Sequence, residues 1–245
     1  MNSAYIFEYL GTAILILLGN GVVANTILKG TKSEGAGWLT ITIGWGLAVF
    51  MGVVVAGPHS GAHINPAVTV GLAAAGLFSW NMVAGYVVAQ MLGAFTGAMI
   101  VYLFFKPYYN QTSNLDLHLA TFCTIPAIRN LKSNLFSEVI GTFVLVLLVF
   151  YLAEPTFTAV NVEGAIIGLG SIGALPVALV VVGIGISLGG TTGYAINPAR
   201  DLGPRMAYSI LPFNKKRNAD WAYSWIPVVG PIIGALTAAL IFTWL

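Results

Sequence analysis

Charged side chains are so far apart in this chain that the stretches between them fix what it can become. Between Glu8 and Lys29, residues 9–28 carry no charge, and residues 35–58 follow Glu34 in the same way. Residues 64–105 run from His63 to Lys106, 139–153 follow Glu138, 164–199 run from Glu163 to Arg200, and 221–245 follow Asp220. Of 245 residues, 58% are hydrophobic and 7% are charged, against roughly 25% charged in a soluble domain. So few charges cannot cover a water-facing surface, which excludes a soluble enzyme and points to an integral membrane protein. A lipid-spanning helix takes about 20 mostly apolar residues. The gaps therefore predict six spans, over 4–27, 38–57, 82–105, 135–153, 174–192 and 222–245. Helices are chosen because the ten-residue alternation of a membrane barrel is missing.

Two of the gaps are longer than one span. The surplus stretches, 64–81 and 193–209, are apolar, rich in Gly and interrupted by Pro. Neither is long enough to cross on its own, so each reads as a loop that dips into the membrane and returns through a short helix.

The chain also repeats itself. Glu8-Tyr9-Leu10-Gly11-Thr12 opens the first span and Glu138-Val139-Ile140-Gly141-Thr142 the fourth. Asn65-Pro66-Ala67 follows Glu8 by 57 residues, and Asn197-Pro198-Ala199 follows Glu138 by 59. Gly93-Ala94-Phe95-Thr96-Gly97-Ala98 in the third span matches Gly234-Ala235-Leu236-Thr237-Ala238-Ala239 in the sixth. Residues 1–105 and 135–245 thus read as two halves of one channel domain, joined by a connecting loop at 106–134. Three spans per half is an odd number, so the halves enter from opposite faces. Interrupted segments at matching places in such an inverted repeat point to a site near the midplane.

Asn is among the best helix N-caps, and Pro fits the first helical turn because its missing N–H is not needed there. Asn65 and Asn197 are expected to cap short helices over about 66–76 and 198–208. The two positive helix ends would meet at the centre and repel cations, while the amide N–H groups would hold the oxygen of a passing neutral molecule. The stretches before them, Ser60-Gly61-Ala62-His63 and Gly189-Gly190-Thr191-Thr192-Gly193, are expected to be extended. The carbonyls of Gly61, Ala62, His63, Gly193, Tyr194 and Ala195 would then line the path.

Arg200 lies deep in an apolar stretch, where a charge marks a functional position by default. It is expected to face the pore, with Asp201 packed in the wall; the alternative is a structural ion pair between these two neighbours. Glu8 and Glu138 are expected to accept hydrogen bonds from the re-entrant loops, the alternative being interfacial residues that snorkel. His59 and His63 stand four apart, a metal spacing if helical, but Gly57-Pro58 and Ser60-Gly61 argue against a helix and so against a metal. No Cys/His cluster has metal spacing, Cys123 stands alone, and no cofactor is expected. A net charge of +2, without a clustered basic face beyond Lys215-Lys216-Arg217, argues against nucleic acid. Tyr108, Tyr109 and Trp38 sit at span ends as candidate interface anchors. Asn110-Gln111-Thr112 fits a glycosylation acceptor.

In Ser60-Gly61-Ala62-His63-Ile64-Asn65-Pro66-Ala67-Val68-Thr69 and Gly193-Tyr194-Ala195-Ile196-Asn197-Pro198-Ala199-Arg200-Asp201 the sequence resembles the aquaporin superfamily, and within it the aquaglyceroporins of the glycerol-facilitator type. The resemblance covers nearly the whole chain. It implies an all-α membrane fold of six spans and two re-entrant half-helices, assembled as a homotetramer in the plasma membrane with one pore per subunit. It implies a passive path for glycerol and other small neutral solutes, with water, that excludes ions and protons. The family's narrowest ring maps onto Trp45, Gly185, Tyr194 and Arg200. Gly185 falls where water-selective members usually carry His, which would open the ring. Asp201, Arg205 and the pair Pro227-Val228 are also the glycerol-type choices. Trp45 and Tyr194 would form an apolar corner for a carbon backbone, with Arg200 on the other side taking the hydroxyls. Tyr194 departs from the usual Phe, which leaves water, dihydroxyacetone, urea, hydrogen peroxide and neutral lactic acid open beside glycerol. An ion-coupled transporter and a junctional membrane protein are the competing classes. The resemblance places the N-terminus in the cytoplasm, whereas Lys29, Lys32, Lys106, Arg129, Lys132, Lys215, Lys216 and Arg217 argue for the reverse by the positive-inside rule.

Overall fold

A computed structural model describes residues 3–152, 156–159, 162–166 and 168–245. Six helices in it are long and apolar enough to cross a membrane: α1 (Ser3–Ile27), α2 (Gly37–Ser60), α4 (Trp80–Gln111), α6 (Leu131–Tyr151), α7 (Leu175–Ser187, continued backwards by a 3₁₀ turn at Gly170–Ala174) and α9 (Ile226–Trp244). The 19 residues of α9 reach about 29 Å at 1.5 Å each, close to the hydrocarbon thickness. Two short helices, α3 (Pro66–Ala74) and α8 (Pro198–Ile210), stand between the long ones. A one-turn helix, α5 (Leu115–Ala120), and a small antiparallel hairpin, β1 (Thr156–Ala159) with β2 (Val162–Ile166), complete the described elements.

The helices keep their expected order but differ in extent. α4 runs to Gln111 through Lys106 and Pro107, and α6 starts at Leu131, so both reach into the stretch read as connecting loop. Lys106 is exposed, so a charge there costs little and does not end the helix. α2 likewise continues through Pro58 and His59 to Ser60, and Gly61 in the left-handed conformation (φ 79°) closes it. His59 is therefore helical after all, stacked on Phe7 at 3.7 Å between ring centroids. Among the described residues there is no group of three or more His, Cys, Asp or Glu side chains placed to hold a metal.

Close packing follows the small residues. A Cβ at Gly93 would lie 2.3 Å from the Tyr9 carbonyl oxygen, and one at Gly234 would lie 2.3 Å from that of Val139. Only glycine lets α4 approach α1, and α9 approach α6, this closely. The half-helices cross over: α3 packs against α9, and α8 against α4, so each is held by the other half of the chain. Outward faces are apolar, as at Leu103, Phe104 and Leu240. Exposed aromatic residues collect at both ends, with Trp38, Trp221 and Trp225 at one and Trp80, Tyr151 and Trp244 at the other, the placement of a membrane-interface belt. Tyr109 is not part of that belt. It is 2% exposed, bonds Thr121 at 2.8 Å, and packs edge-on against His118 and Phe213.

Candidate functional site: two loops meeting at the waist

Each re-entrant loop hangs from one buried carboxylate. Glu8, in α1, accepts from the Ser60 hydroxyl (2.7 Å), His63 N–H (2.9 Å), Ile64 N–H (2.7 Å) and the Gln90 amide (2.8 Å). Glu138, in α6, accepts from the Thr192 hydroxyl (2.7 Å), Ala195 N–H (3.0 Å) and Ile196 N–H (2.8 Å). Neither residue snorkels; both are at most 1% exposed. A buried carboxylate is tolerable only when its lone pairs are met by donors, and here the donors are the loops themselves.

That anchoring imposes an unusual backbone. The loops are not extended throughout. Gly61, Ala62 and Ile64 have φ of 79°, 51° and 41°, and Gly193, Tyr194 and Ile196 have 85°, 37° and 42°. Left-handed residues other than glycine cost of order 1–3 kcal/mol each and persist only where surrounding bonds over-determine them. The result is that N–H groups point back at the carboxylates. The carbonyls of residues 61–63 and 193–195 accept no hydrogen bond from any described residue.

The loops end at the two asparagines. The Asn65 side-chain oxygen accepts Ala67 N–H (2.9 Å), and that of Asn197 accepts Ala199 N–H (3.0 Å) and Arg200 N–H (3.2 Å), so each caps its helix, with Pro66 and Pro198 in the first turn. Their amide groups then cross the waist: Asn65 Nδ2 donates to Ile196 O at 2.8 Å and Asn197 Nδ2 to Ile64 O at 2.9 Å. Reading the asparagines as free donors missed this exchange. One amide donor of each thus ties the two half-helices together.

A cavity of about 230 Å³ runs past this waist. Its lining mixes apolar side chains, among them Leu15, Val49, Val68, Leu145, Val149 and Val181, with residues of the two loops, 61–65, 194–197 and Arg200. His63 also packs against Phe78 and Tyr86, and its Nδ1 lies 3.1 Å from the Thr69 hydroxyl.

Trp45, Tyr194 and Arg200 all line the cavity. The Arg200 guanidinium carbon sits 4.1 Å from the centroid of the Trp45 ring, so arginine lies over the indole face rather than across a slot from it. Among the described residues the guanidinium makes no hydrogen bond or ion pair, so its donors are unspent. Asp201 pairs instead with Arg205 (2.8 Å). Gly185 and Gly193 do not border the cavity. A Cβ at Gly185 would come within 2.8 Å of Tyr194 Cζ and 2.9 Å of its hydroxyl oxygen. The tip of the phenol thus takes the room that glycine leaves, and its hydroxyl is buried without a partner. Gln90, which bridges Glu8 and the Thr69 hydroxyl, has no signal in the sequence beyond polarity within an apolar run, and Trp38, which reads there as an interface anchor, also donates its Nε1 to Gly185 O at 2.9 Å.

Residues 1–242 match the family model for the major intrinsic protein family. The chain belongs to that family. It is 49% identical to a probable glycerol uptake facilitator protein of Thermotoga maritima, covering 99% of each chain. It is 54% identical to the glycerol uptake facilitator protein of Streptococcus pneumoniae, covering 96% of each. Its fold matches the X-ray structure of the aquaglyceroporin from Plasmodium falciparum with a TM-score of 0.83 and 32% identity, over 99% of this chain and 96% of that one. The chain with its six apolar helices is therefore a multi-pass major intrinsic protein of the aquaglyceroporin type.

Proposed function

We propose that this aquaglyceroporin-type chain is a passive channel that conducts glycerol and other small neutral solutes, with water, across the plasma membrane while excluding ions and protons. The observation that carries the reading is the exchange of hydrogen bonds between Asn65 and Ile196 and between Asn197 and Ile64. It sets two positive helix ends side by side against a cavity lined by both apolar side chains and loop carbonyls. A cation there meets both dipoles and cannot recover its hydration from valine and leucine. A neutral polyol lays its carbons on the apolar side chains and its hydroxyls on the carbonyls. A water at the waist turns its oxygen to the two amides, so its protons face away on either side and no continuous proton wire forms.

In this reading Asn65, Pro66, Ala67, Asn197, Pro198 and Ala199 build the waist; Trp45, Tyr194 and Arg200 form the selectivity filter, with Gly185 behind the Tyr194 ring; and Glu8, Glu138 and Asp201 support them. The free carbonyls of Gly61, Ala62, His63, Tyr194 and Ala195 carry the solute, and that of Gly193 lies behind them. The halves 1–105 and 135–245 act as inverted repeats of one domain. The relatives named as glycerol facilitators support glycerol as the solute. The pore needs no cofactor and no partner beyond the bilayer, the solutes and three further copies of itself in a homotetramer.

A second reading of the same fold, a channel favouring water or a solute smaller than glycerol, draws on the Tyr194 phenol in the Gly185 space and on arginine lying over Trp45. Stopped-flow light scattering on proteoliposomes decides between them. The first reading expects glycerol flux linear in its gradient, independent of ions and of low activation energy. Water flux without glycerol flux supports the second, and ready potassium or proton leak overturns both.

A further inference from the structure

Outside the cavity, the segment between α5 and α6 lies against the back of the loop that carries Tyr194 and Arg200. Thr124 is its hub. Its N–H and hydroxyl both donate to Asp201 Oδ2 (2.8 and 2.6 Å). Its carbonyl accepts from Arg205 Nη2 (3.2 Å). Its side chain lies where a Cβ at Gly193 would approach Cγ2 to 3.3 Å. Three residues on, Ala127 N–H donates to Thr191 O (3.0 Å). The segment therefore touches the filter loop at Thr191 and Gly193, and holds the residue next to Arg200.

A second tier closes over the first. Arg205 Nη1 donates to the carbonyls of Ala219 (2.6 Å) and Asp220 (3.1 Å). Asp220, in the left-handed conformation at φ 53°, turns its carboxylate back to Arg129 at the end of the segment. Two parallel bonds join them, Nη1 to Oδ2 at 2.7 Å and Nη2 to Oδ1 at 2.9 Å. The Arg129 guanidinium also lies 5.6 Å from the Tyr223 ring centroid. The Asp220 side chain is 9% exposed, and a bidentate arginine–carboxylate fork is the geometry in which a surface pair holds position.

We infer that Arg129 and Asp220 form an outer latch that positions the filter loop through Thr124 and Ala127, so that solute discrimination is set partly from outside the pore. Both are positioning residues; neither borders the cavity. Opening the latch frees the end of the segment, relaxes the seat of Gly193 and lets the Tyr194 and Arg200 side chains spread. The inference rests on the channel reading above.

The test compares Arg129→Gln, Asp220→Asn and the double variant in proteoliposomes, with glycerol and water permeabilities measured on the same preparations. Asn tolerates the left-handed φ at 220, so this substitution leaves the turn intact. Each single variant is expected to raise the glycerol-to-water permeability ratio by about threefold, an effect on the scale of one surface ion pair, with the double variant no larger than either single. A purely structural role would lower both fluxes together and leave the ratio unmoved. An unchanged ratio in all three variants, or effects that multiply in the double, overturns the latch. Wild-type vesicles that pass no glycerol would instead overturn the channel reading itself.

Discussion

The two re-entrant loops share a skeleton and differ in what stands on it. Around Asn65 and around Asn197 the same carboxylate, the same run of left-handed residues and the same crossed amide recur. The first loop is then finished with neutral groups: His63 sits among Phe78 and Tyr86, and Gln90 supplies Glu8 with a fourth donor. The second receives Tyr194 and an unpaired arginine, and is braced from behind by the Asp201–Arg205 pair. Gln90 serves Glu8 from α4, whereas α9 brings Gly230 against Glu138 so closely that a Cβ there would clash with that of the glutamate at 2.7 Å. The difference separates two jobs. In the proposed channel, backbone geometry common to both loops builds the waist and one loop alone builds the filter; a lone buried cation needs bracing that a histidine among aromatics does not.

If the carboxylates are equivalent, removing either should wreck the pore alike. Glu8→Ala and Glu138→Ala each strand several N–H groups in a low-dielectric interior. Each is expected to lower stability by about 3–5 kcal/mol, the scale for breaking a buried charged network, and to abolish flux. Thermal unfolding in detergent alongside vesicle flux checks this. A Glu138 variant that still conducts would break the equivalence of the two loops.

The filter is where the loops should part. Arg200→Ala removes unspent charged donors and the stack on Trp45 while leaving the asparagine exchange in place. The glycerol-to-water ratio is expected to change by about tenfold, the worth of one charge-assisted hydrogen bond, with potassium still excluded by the waist. His63→Ala, at the corresponding end of the first loop, is expected to change the ratio far less. Equal effects would mean that both loops discriminate between solutes.

The shared skeleton is legible in the chain because it is made of local chemistry. Asn before Pro caps a helix whatever surrounds it, and Glu8 and Glu138 betray themselves as charges at matched offsets. The braces are not legible. Gln90 meets Glu8 across 82 positions and Thr124 meets Asp201 across 77, and neither residue type is unusual where it stands. Apolarity gives depth in the membrane but not rotation, since spans apolar on every side do not reveal which face meets lipid. For this reason Tyr109 reads as an anchor and is a core residue, and Trp38 reads as an anchor and holds Gly185. The strands at 156–159 and 162–166 announce themselves only by a brief alternation, Thr156-Phe157-Thr158-Ala159, too short to stand out between apolar spans, and Lys106 with Pro107 looks like a helix end that α4 passes through.

A subtler contrast lies within the filter loop. Tyr194→Phe deletes a hydroxyl that is buried and unpartnered. Stability should hold or rise by about 1 kcal/mol, since an unmet buried polar group costs on that scale. The flux ratio should stay within about twofold, because the phenol tip points at Gly185 rather than along the cavity. Gly185→Ala should do more than this: its methyl would strike the ring and push it toward the path, cutting glycerol permeability more than water permeability. Stopped-flow rates for the pair sharpen the comparison, and a large effect of the Phe variant with none from Ala would place the hydroxyl in the path.

The smallest effect concerns the latch and pH. Hydrogen bonding to Arg129 holds the Asp220 carboxyl below its usual range, and Arg205 and Arg217 add to this at longer reach. A carboxyl whose pKa is depressed by folding contributes stability that is fully present above its unfolded pKa and is lost as pH falls through the lower, folded one. The latch should therefore be indifferent from neutral pH down to about 4 and weaken below that, since Arg129 keeps its charge throughout. For a pair with Arg129 half in water the change is expected to be about 0.5 kcal/mol, and salt should reduce it. Thermal midpoints of wild type and Asp220→Asn should then differ slightly at pH 7 and converge in acid. A gap that widens in acid would show that Asp220 is not the titrating partner, and that the brace on the filter loop rests on the buried Asp201–Arg205 pair alone.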